Sequence, residues 1–290
     1  MNFGDIMFLG IISSKVKEEL DKINFKYDDV VLVRVKDDKA VLNVYEGDNC
    51  YLLKYYSEGC FNRVQIYREM EKFGIKMVKL VGHSNYLMIY ENVEDNDKFE
   101  CVDFEIFKDE KMVVKLAEWY SKFMHFSDVC FVDYCGYFKL ENIKRIMSKF
   151  NLDKNYSLRY ILDNFNNIKL KLSRLEKCVV FKEFCLDNLV YSKELNEIIM
   201  NDCDDFYIGY KYMNVKSILN YIDENYKRLF LELIGGYSKD EEAVDKVVSC
   251  VNTLYLATEE ETFPVWAKTS LEMVNSSELL DNAKNLVEWY

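Results

Sequence analysis

The sequence predicts an α+β protein with two lobes, a small N-terminal lobe with an antiparallel sheet and a helix, and a larger, mostly helical C-terminal lobe. Three observations lead to this fold class. Strand-like runs dominate roughly the first 90 residues, helical periodicity dominates after them, and a polar stretch at residues 91–97 separates the two patterns. We therefore predict an N-terminal lobe over residues 1–92 and a C-terminal lobe over residues 93–290.

The N-terminal lobe is expected to begin with a helix at residues 14–22, which Ser13 or Ser14 can cap. The runs that follow are rich in β-branched and aromatic residues, and a Gly-Asp-Asn turn at residues 47–49 makes a hairpin the natural interpretation. A second helix is stopped by Gly74. The predicted strands cover residues 30–35, 40–45, 50–56, 77–81 and 86–90, and the second helix covers residues 61–72.

The C-terminal lobe is expected to consist of helices interrupted by two short strands. Residues 111–125 place apolar side chains on one broad helical face. These two short apolar strands flank Asn188 and Asp202. Further helices are predicted at residues 141–150, 157–172, 215–233, 241–259 and 269–289.

Composition excludes several classes of function. A net charge of −12 opposes binding to the phosphate backbone of a nucleic acid. The negative charge is compatible with a cationic small molecule as ligand, and the alternative is that it only aids solubility. No apolar run approaches the roughly 20 residues that span a bilayer, and the N-terminus lacks the pattern of a secretory signal. Nine cysteines without a Cys-x-x-Cys pair, and only two histidines, argue against disulfides and zinc. We expect a cytoplasmic protein that binds neither nucleic acid nor a membrane.

The most informative motif is an acid, four intervening residues and an asparagine, followed by an apolar strand, a second apolar strand and another acid. Glu183 and Asn188 form the first part, Asp202 ends the second strand, and Gly209 follows. Kinase-like phosphotransferases hold magnesium and nucleotide in this way. The first carboxylate, Glu183, would receive the proton of the acceptor hydroxyl as the catalytic residue, and Asn188 and Asp202 would hold the metal.

With these motifs the chain resembles the aminoglycoside phosphotransferase and choline kinase-like superfamily, including its spore-coat kinase-like branch. The resemblance implies a two-lobed protein kinase-like fold in which the N-terminal lobe binds nucleotide and the C-terminal lobe carries catalysis and binds substrate. It also implies ATP and Mg²⁺ as cofactors and a small-molecule hydroxyl acceptor, and the negative net charge allows this acceptor to be cationic. It also implies that Lys54, late in the third strand, anchors ATP and that Glu69 in the following helix pairs with it, with Gln65 as the alternative partner. The predicted helix ending at His125 is similar to the helix that precedes the family's catalytic half.

Several positions depart from the family pattern. Phe181 and Lys182 stand where the catalytic loop has His and Gly, and Glu183 is one methylene longer than the expected aspartate. A base displaced by about 1 Å can cost roughly 10²-fold in rate. The turn at residues 35–40, where a phosphate-covering loop is expected, has two acids and no glycine.

Three hypotheses on function therefore remain open. The first is an ATP-dependent small-molecule kinase with a divergent catalytic loop. The second is a pseudokinase that keeps the metal-binding frame and acts as a binding protein or a spore-coat structural protein. The third is an unrelated α+β interaction protein whose motif spacings match those of the family by chance. A structure without a five-stranded sheet in the small lobe would favour this third hypothesis.

Overall fold

The structure is a computed structural model that describes residues 3–36, 39–94, 96–126, 131–182, 184–202 and 206–288. The chain divides into two compact units. Unit 1 comprises Met1–Ile106 and Cys185–Asp204, and unit 2 comprises Phe107–Phe184 and Asp205–Tyr290. The boundary predicted between residues 92 and 93 thus precedes the observed one, and the return of Cys185–Asp204 to unit 1 has no counterpart in the sequence prediction. The nucleotide and substrate roles assigned to the two parts stay predictions.

Strands are concentrated in unit 1 and helices in unit 2. In chain order, the strands are β1 Asp29–Lys36, β2 Lys39–Glu46, β3 Asn49–Tyr56, β4 Leu80–His83, β5 Leu87–Glu91, β6 Phe99–Cys101, β7 Val132–Asp133, β8 Cys178–Phe181, β9 Leu189–Ser192, β10 Glu197–Met200 and β11 Phe206–Gly209. The helices are α1 Phe3–Lys22, α2 Phe61–Phe73, α3 Glu110–Phe123, α4 Leu140–Lys149, α5 Tyr156–Asp163, α6 Phe165–Arg174, α7 Lys211–Leu219, α8 Glu224–Leu233, α9 Lys239–Ala257, α10 Lys268–Val274 and α11 Ser277–Val287. Short 3₁₀ turns lie at Ile106–Lys108, Tyr134–Tyr137, Leu186–Asn188 and Val265–Ala267.

Unit 1 is built on a five-stranded antiparallel sheet in the order β1-β2-β3-β5-β4, which confirms the predicted small sheet. Helix α1 covers one face of the sheet with a stripe of side chains four residues apart, Ile12, Val16 and Leu20. Leu53 of β3 belongs to this core. Because successive side chains of a strand alternate between faces, its neighbour Lys54 projects from the opposite face.

A second, three-stranded sheet in unit 1 has the order β10-β9-β6. Residues 76–78 run beside the end of β10, where Val78 N–H donates to the Met200 carbonyl at 2.8 Å and Met200 N–H donates to the Lys76 carbonyl at 2.9 Å. The Tyr67 hydroxyl of α2 in turn donates to the Val78 carbonyl at 3.0 Å. These bonds fix the end of β10, and Asp202 follows two residues later.

Unit 2 is organised around α9, which is buried along most of its length. The helices around it contribute to one apolar core that includes Ile146, Leu158 and Leu279. A three-stranded sheet in the order β7-β11-β8 completes the unit. The predicted α+β class and the helical character of the C-terminal half are confirmed.

Three predicted helices are each two helices in the structure, because polar residues end the first and begin the second. Asn164 separates α5 from α6, and its side-chain amide donates to the Tyr160 carbonyl at 3.0 Å. Asp223 caps the start of α8, and Ser276 caps the start of α11. Because the apolar periodicity continues across each break, the sequence pattern does not indicate where one helix ends and the next begins.

Candidate functional site

Lys54 is a buried lysine of unit 1. Its side chain is only 4% exposed, and it lies on β3 between Val41 of β2 and Met88 of β5, its register partners. The ring of Tyr90 lies 5.5 Å from the Lys54 ammonium. A charged group in such surroundings requires a partner of opposite charge, since burying an isolated charge is costly.

Asp202 provides that partner. Its Oδ1 lies 2.7 Å from Lys54 Nζ, and its side chain is 24% exposed. The carboxylate therefore has one side in contact with the ammonium and another side open to solvent. The structure thus brings together two of the residues that the sequence analysis selected, which are 148 positions apart in the chain.

Asn188 lies next to Asp202. The main-chain carbonyl of Asn188 accepts hydrogen bonds from the backbone N–H of Asn201 at 2.7 Å and of Asp202 at 3.3 Å. The side chain of Asn201 adds a bond to the Asp187 carbonyl at 3.1 Å. The 3₁₀ turn that carries Asn188 and the end of β10 that carries Asp202 are therefore joined through the main chain.

The side chain of Asn188 is fixed by the start of its own turn. Its Oδ1 accepts the backbone N–H of Cys185 at 2.9 Å and faces Cys185 Sγ at 3.1 Å. Burial, followed by the nearby charge of Asp187, raises the pKa of the Cys185 thiol, which keeps the thiol protonated and able to donate. Cys185 is not among the predicted site residues, although its position three residues before Asn188 is the spacing of a capping interaction.

The donor atoms of this site suit a hard cation. Asp202 offers a carboxylate and Asn188 an amide oxygen, which are the ligand types that Mg²⁺ binds in combination with phosphate oxygens and water. Within the described residues there is no group of three or more His, Cys, Asp or Glu side chains placed to hold a metal ion. The protein part of a magnesium site at this position would thus be small, and a nucleotide would have to supply further ligands.

Glu69 has a different partner from the predicted one. Its Oε1 lies 2.7 Å from Nζ of Lys72, one helical turn further along α2, whereas the Lys54 ammonium is paired with Asp202. The alternative partner Gln65 is exposed. Among the residues that the structure describes, Lys54 thus pairs with Asp202, and its pairing with α2 stays a prediction.

The departure from the family at position 181 has a structural explanation. Phe181 is buried at the end of β8, where its ring packs against Phe123 at 4.9 Å, Phe206 at 5.0 Å and Phe184 at 5.2 Å between centroids. The side chain at this position is thus a core residue of unit 2. The next residue, Lys182, is exposed.

Some predicted features lie outside the described residues. They are the catalytic candidate Glu183 and the acids Asp37 and Asp38 of the turn at residues 35–40. The role of Glu183 as a base therefore stays a prediction.

His125, at the end of the predicted helix, is exposed. It borders a cavity of about 350 Å³ within unit 2, together with Cys178, Lys211 and Glu241. Lys211 Nζ donates to the Ile234 carbonyl at 2.7 Å. Burial raises the pKa of Glu241 and raises that of Cys178 to about 12. Cys178 begins β8, whereas the predicted catalytic loop follows the other end of this strand, so the cavity and the loop belong to opposite ends of β8.

Comparison with known proteins identifies the fold. No protein-family profile and no curated protein sequence matches this chain. Among solved structures, the choline kinase LicA from Streptococcus pneumoniae is similar with a TM-score of 0.60 and 10% identity, over 94% of this chain and 99% of that one. The ADP-bound aminoglycoside phosphotransferase APH(2'')-Ib is similar with a TM-score of 0.59 and 17% identity, over 95% and 99% of the two chains.

A choline/ethanolamine kinase family protein from Mesorhizobium loti is also similar, with a TM-score of 0.51 and 11% identity over 88% of this chain and 92% of that one. A search of the described helices finds none with the length and apolar character needed to cross a membrane. The five-stranded sheet and these similarities argue against a chance match of spacings. In its fold, the chain is similar to these choline kinase and aminoglycoside phosphotransferase structures, as the sequence analysis predicts.

Proposed function

We propose that the protein is an ATP-dependent phosphotransferase that acts on a hydroxyl group of a small molecule. The observation that carries this proposal is the ion pair between Lys54 and Asp202, 2.7 Å apart at a buried position beside Asn188. A lysine that is almost fully buried and a carboxylate that is partly open to solvent suit recognition of phosphate and metal together. The fold supports the proposal, since a similar phosphotransferase structure is ADP-bound and LicA has been solved in complex with AMP.

In this proposal each residue has a defined task. Lys54 contacts the α- and β-phosphates of ATP, Asp202 and Asn188 hold Mg²⁺, and Glu183 accepts the proton of the acceptor hydroxyl. The bound Mg²⁺ neutralises charge on the phosphate oxygens. Glu69 is paired with the exposed Lys72 in the structure, and its part in anchoring the nucleotide stays a prediction. Lys54 is instead positioned by its strand and by Asp202.

The acceptor is proposed to be a cationic alcohol. The net charge of −12 favours positively charged ligands over anionic ones. Choline, ethanolamine and aminoglycosides, after which the similar proteins are named, all combine a hydroxyl with positive charge. We propose a cytoplasmic location for this activity, where ATP is available.

Ligand-dependent unfolding tests the proposal. Mg-ATP at about 100 times its Kd should raise the free energy of unfolding by roughly 2.7 kcal/mol. Parallel titrations with Mg²⁺ alone and with ATP plus EDTA separate the metal-dependent part. Asp202→Asn should remove that part, and an unchanged metal dependence would refute its assignment. Absence of any stabilisation by Mg-ATP would overturn the proposed function.

Turnover requires a second experiment. ADP release from Mg-ATP should depend on one member of a panel of cationic alcohols, such as choline, ethanolamine and aminoglycosides. Glu183→Asp should alter the rate, because it moves the carboxylate by about one methylene; unaltered turnover would deny Glu183 a role as base.

The second candidate is a pseudokinase that acts as a binding protein or as a spore-coat structural protein. The packing of Phe181 into the aromatic core favours it, since the residue before the loop serves stability there. Metal-dependent ATP binding without ADP release for any acceptor would support this candidate against the first.

A further inference from the structure

The side-chain oxygen of Asn188 already has two donors. The backbone N–H of Cys185 lies 2.9 Å from Oδ1, and the Cys185 sulfur lies 3.1 Å from the same atom. Because a backbone N–H can only donate, the atom that it meets must be the oxygen of the amide and not its nitrogen. An amide oxygen has two lone pairs, so these two donors fill its capacity.

A metal ion would need one of those lone pairs. The N–H donor is part of a closed turn, since Asn188 N–H in turn donates to the Cys185 carbonyl at 3.1 Å. The thiol, in contrast, can leave by rotating about a single side-chain bond between staggered positions. Of the two donors, the thiol is therefore the one that coordination would displace.

We propose that Cys185 is a positioning residue whose thiol competes with Mg²⁺ for the side-chain oxygen of Asn188 and thereby sets the metal affinity of the site. The inference rests on the proposed function, because it takes Asn188 as a metal ligand. With no metal bound, the Cys185 thiol helps to hold the amide of Asn188 in place. With metal bound, the thiol turns away, while the hydrogen bond from the backbone N–H of Cys185 keeps Asn188 Oδ1 oriented.

Two substitutions give opposite expectations. Cys185→Ala removes the competing donor and keeps the backbone N–H, so the metal should bind more tightly. Cys185→Ser replaces a weak S–H donor by a stronger O–H donor of similar shape, so the metal should bind less tightly. From the net value of one hydrogen bond, each change should be about two- to tenfold.

The measurement is the coupling between metal and nucleotide. For each protein, the Kd of ATP in EDTA is divided by the Kd of ATP with saturating Mg²⁺, both obtained by calorimetric titration of the full chain. This ratio should rise from Ser through Cys to Ala at position 185, while the Kd in EDTA should stay constant. Cys101→Ala is the matched control, since Cys101 is exposed on β6, and it should keep the wild-type ratio.

The possible outcomes separate the two proposals. Equal ratios for all three residues at position 185, or the reverse order, would overturn the role of Cys185 and leave the proposed function standing. A wild-type ratio of one would overturn both, because no metal would then act at Asn188. A loss of folding in the alanine variant, detected by circular dichroism, leaves the Ser-to-Cys comparison to decide, since serine retains a donor.

Discussion

Removing one partner of the Lys54–Asp202 ion pair should have very different effects on stability, depending on which partner is removed. Asp202→Ala leaves an ammonium that is 4% exposed without this carboxylate, whereas Lys54→Met leaves a carboxylate that is 24% exposed. The buried ammonium cannot regain its hydration, but the carboxylate can regain part of it. The asymmetry follows from the exposed fractions alone.

The magnitudes follow from the behaviour of buried ion pairs. Removing one partner of a fully buried pair costs about 3–5 kcal/mol, so Asp202→Ala should cost roughly 2–3 kcal/mol after allowing for its exposure. Methionine at position 54 would place an unbranched apolar chain between Val41 and Met88. Because the Asp202 carboxylate left behind is 24% exposed and can regain part of its hydration, we expect Lys54→Met to change stability by less than ~1 kcal/mol.

Urea unfolding without nucleotide, followed by far-ultraviolet circular dichroism, measures both values. The control is Lys72→Met at the Lys72–Glu69 pair, which has the same 2.7 Å separation but a lysine that is 70% exposed. It should cost less than ~0.5 kcal/mol. The reasoning is refuted if Lys54→Met costs as much as Asp202→Ala. Lys54→Met should nevertheless abolish ATP binding, which distinguishes a functional lysine from a structural one.

Three further predictions concern unit 2. Gly209→Ala should cost about 1–3 kcal/mol, because its Cβ would lie 2.8 Å from a methyl of Val180; unchanged stability would contradict this close packing. Asn214→Ala should cost about 2–4 kcal/mol in urea unfolding, because its buried amide bridges two backbone groups of β8 at 3.0 Å. Burial raises the pKa of Asp245 against the opposing effect of Lys216. The folded state therefore binds a proton at the Asp245 carboxyl more tightly than the unfolded state does. The stability of the wild type relative to Asp245→Asn should thus increase as the pH falls from 7 toward the ordinary carboxyl pKa. A stability difference that stays constant with pH would contradict this prediction.

The sheet of unit 1 could be predicted because its signal is local. Alternating apolar side chains and the Gly-Asp-Asn turn define β2 and β3 without reference to the rest of the chain. Strand β6 was not predicted, since three residues next to a polar stretch carry no periodic signal. Its partner β9 lies about ninety residues further along the chain, and only the folded chain brings the two together.

The candidate site could be predicted in part. An antiparallel pair of strands brings the residue before its first strand close to the residue after its second, which is why spacing alone placed Asn188 near Asp202. The contact of Lys54 with Asp202 could not be predicted, because the two residues are 148 positions apart and only the folded chain brings them together. Glu69 has a lysine three residues away on its own helix, and that local contact prevails.

The packing of Phe181 affects any attempt to introduce into this protein the loop histidine of the family that its sequence resembles. Introducing histidine at this position would place a polar ring among three phenylalanines, and its nitrogen atoms would need partners that these neighbours do not offer. Phe181→His alone would therefore lower the stability of the core of unit 2 in order to introduce the loop histidine. Engineering toward a histidine-containing loop would have to redesign the surrounding aromatic residues at the same time.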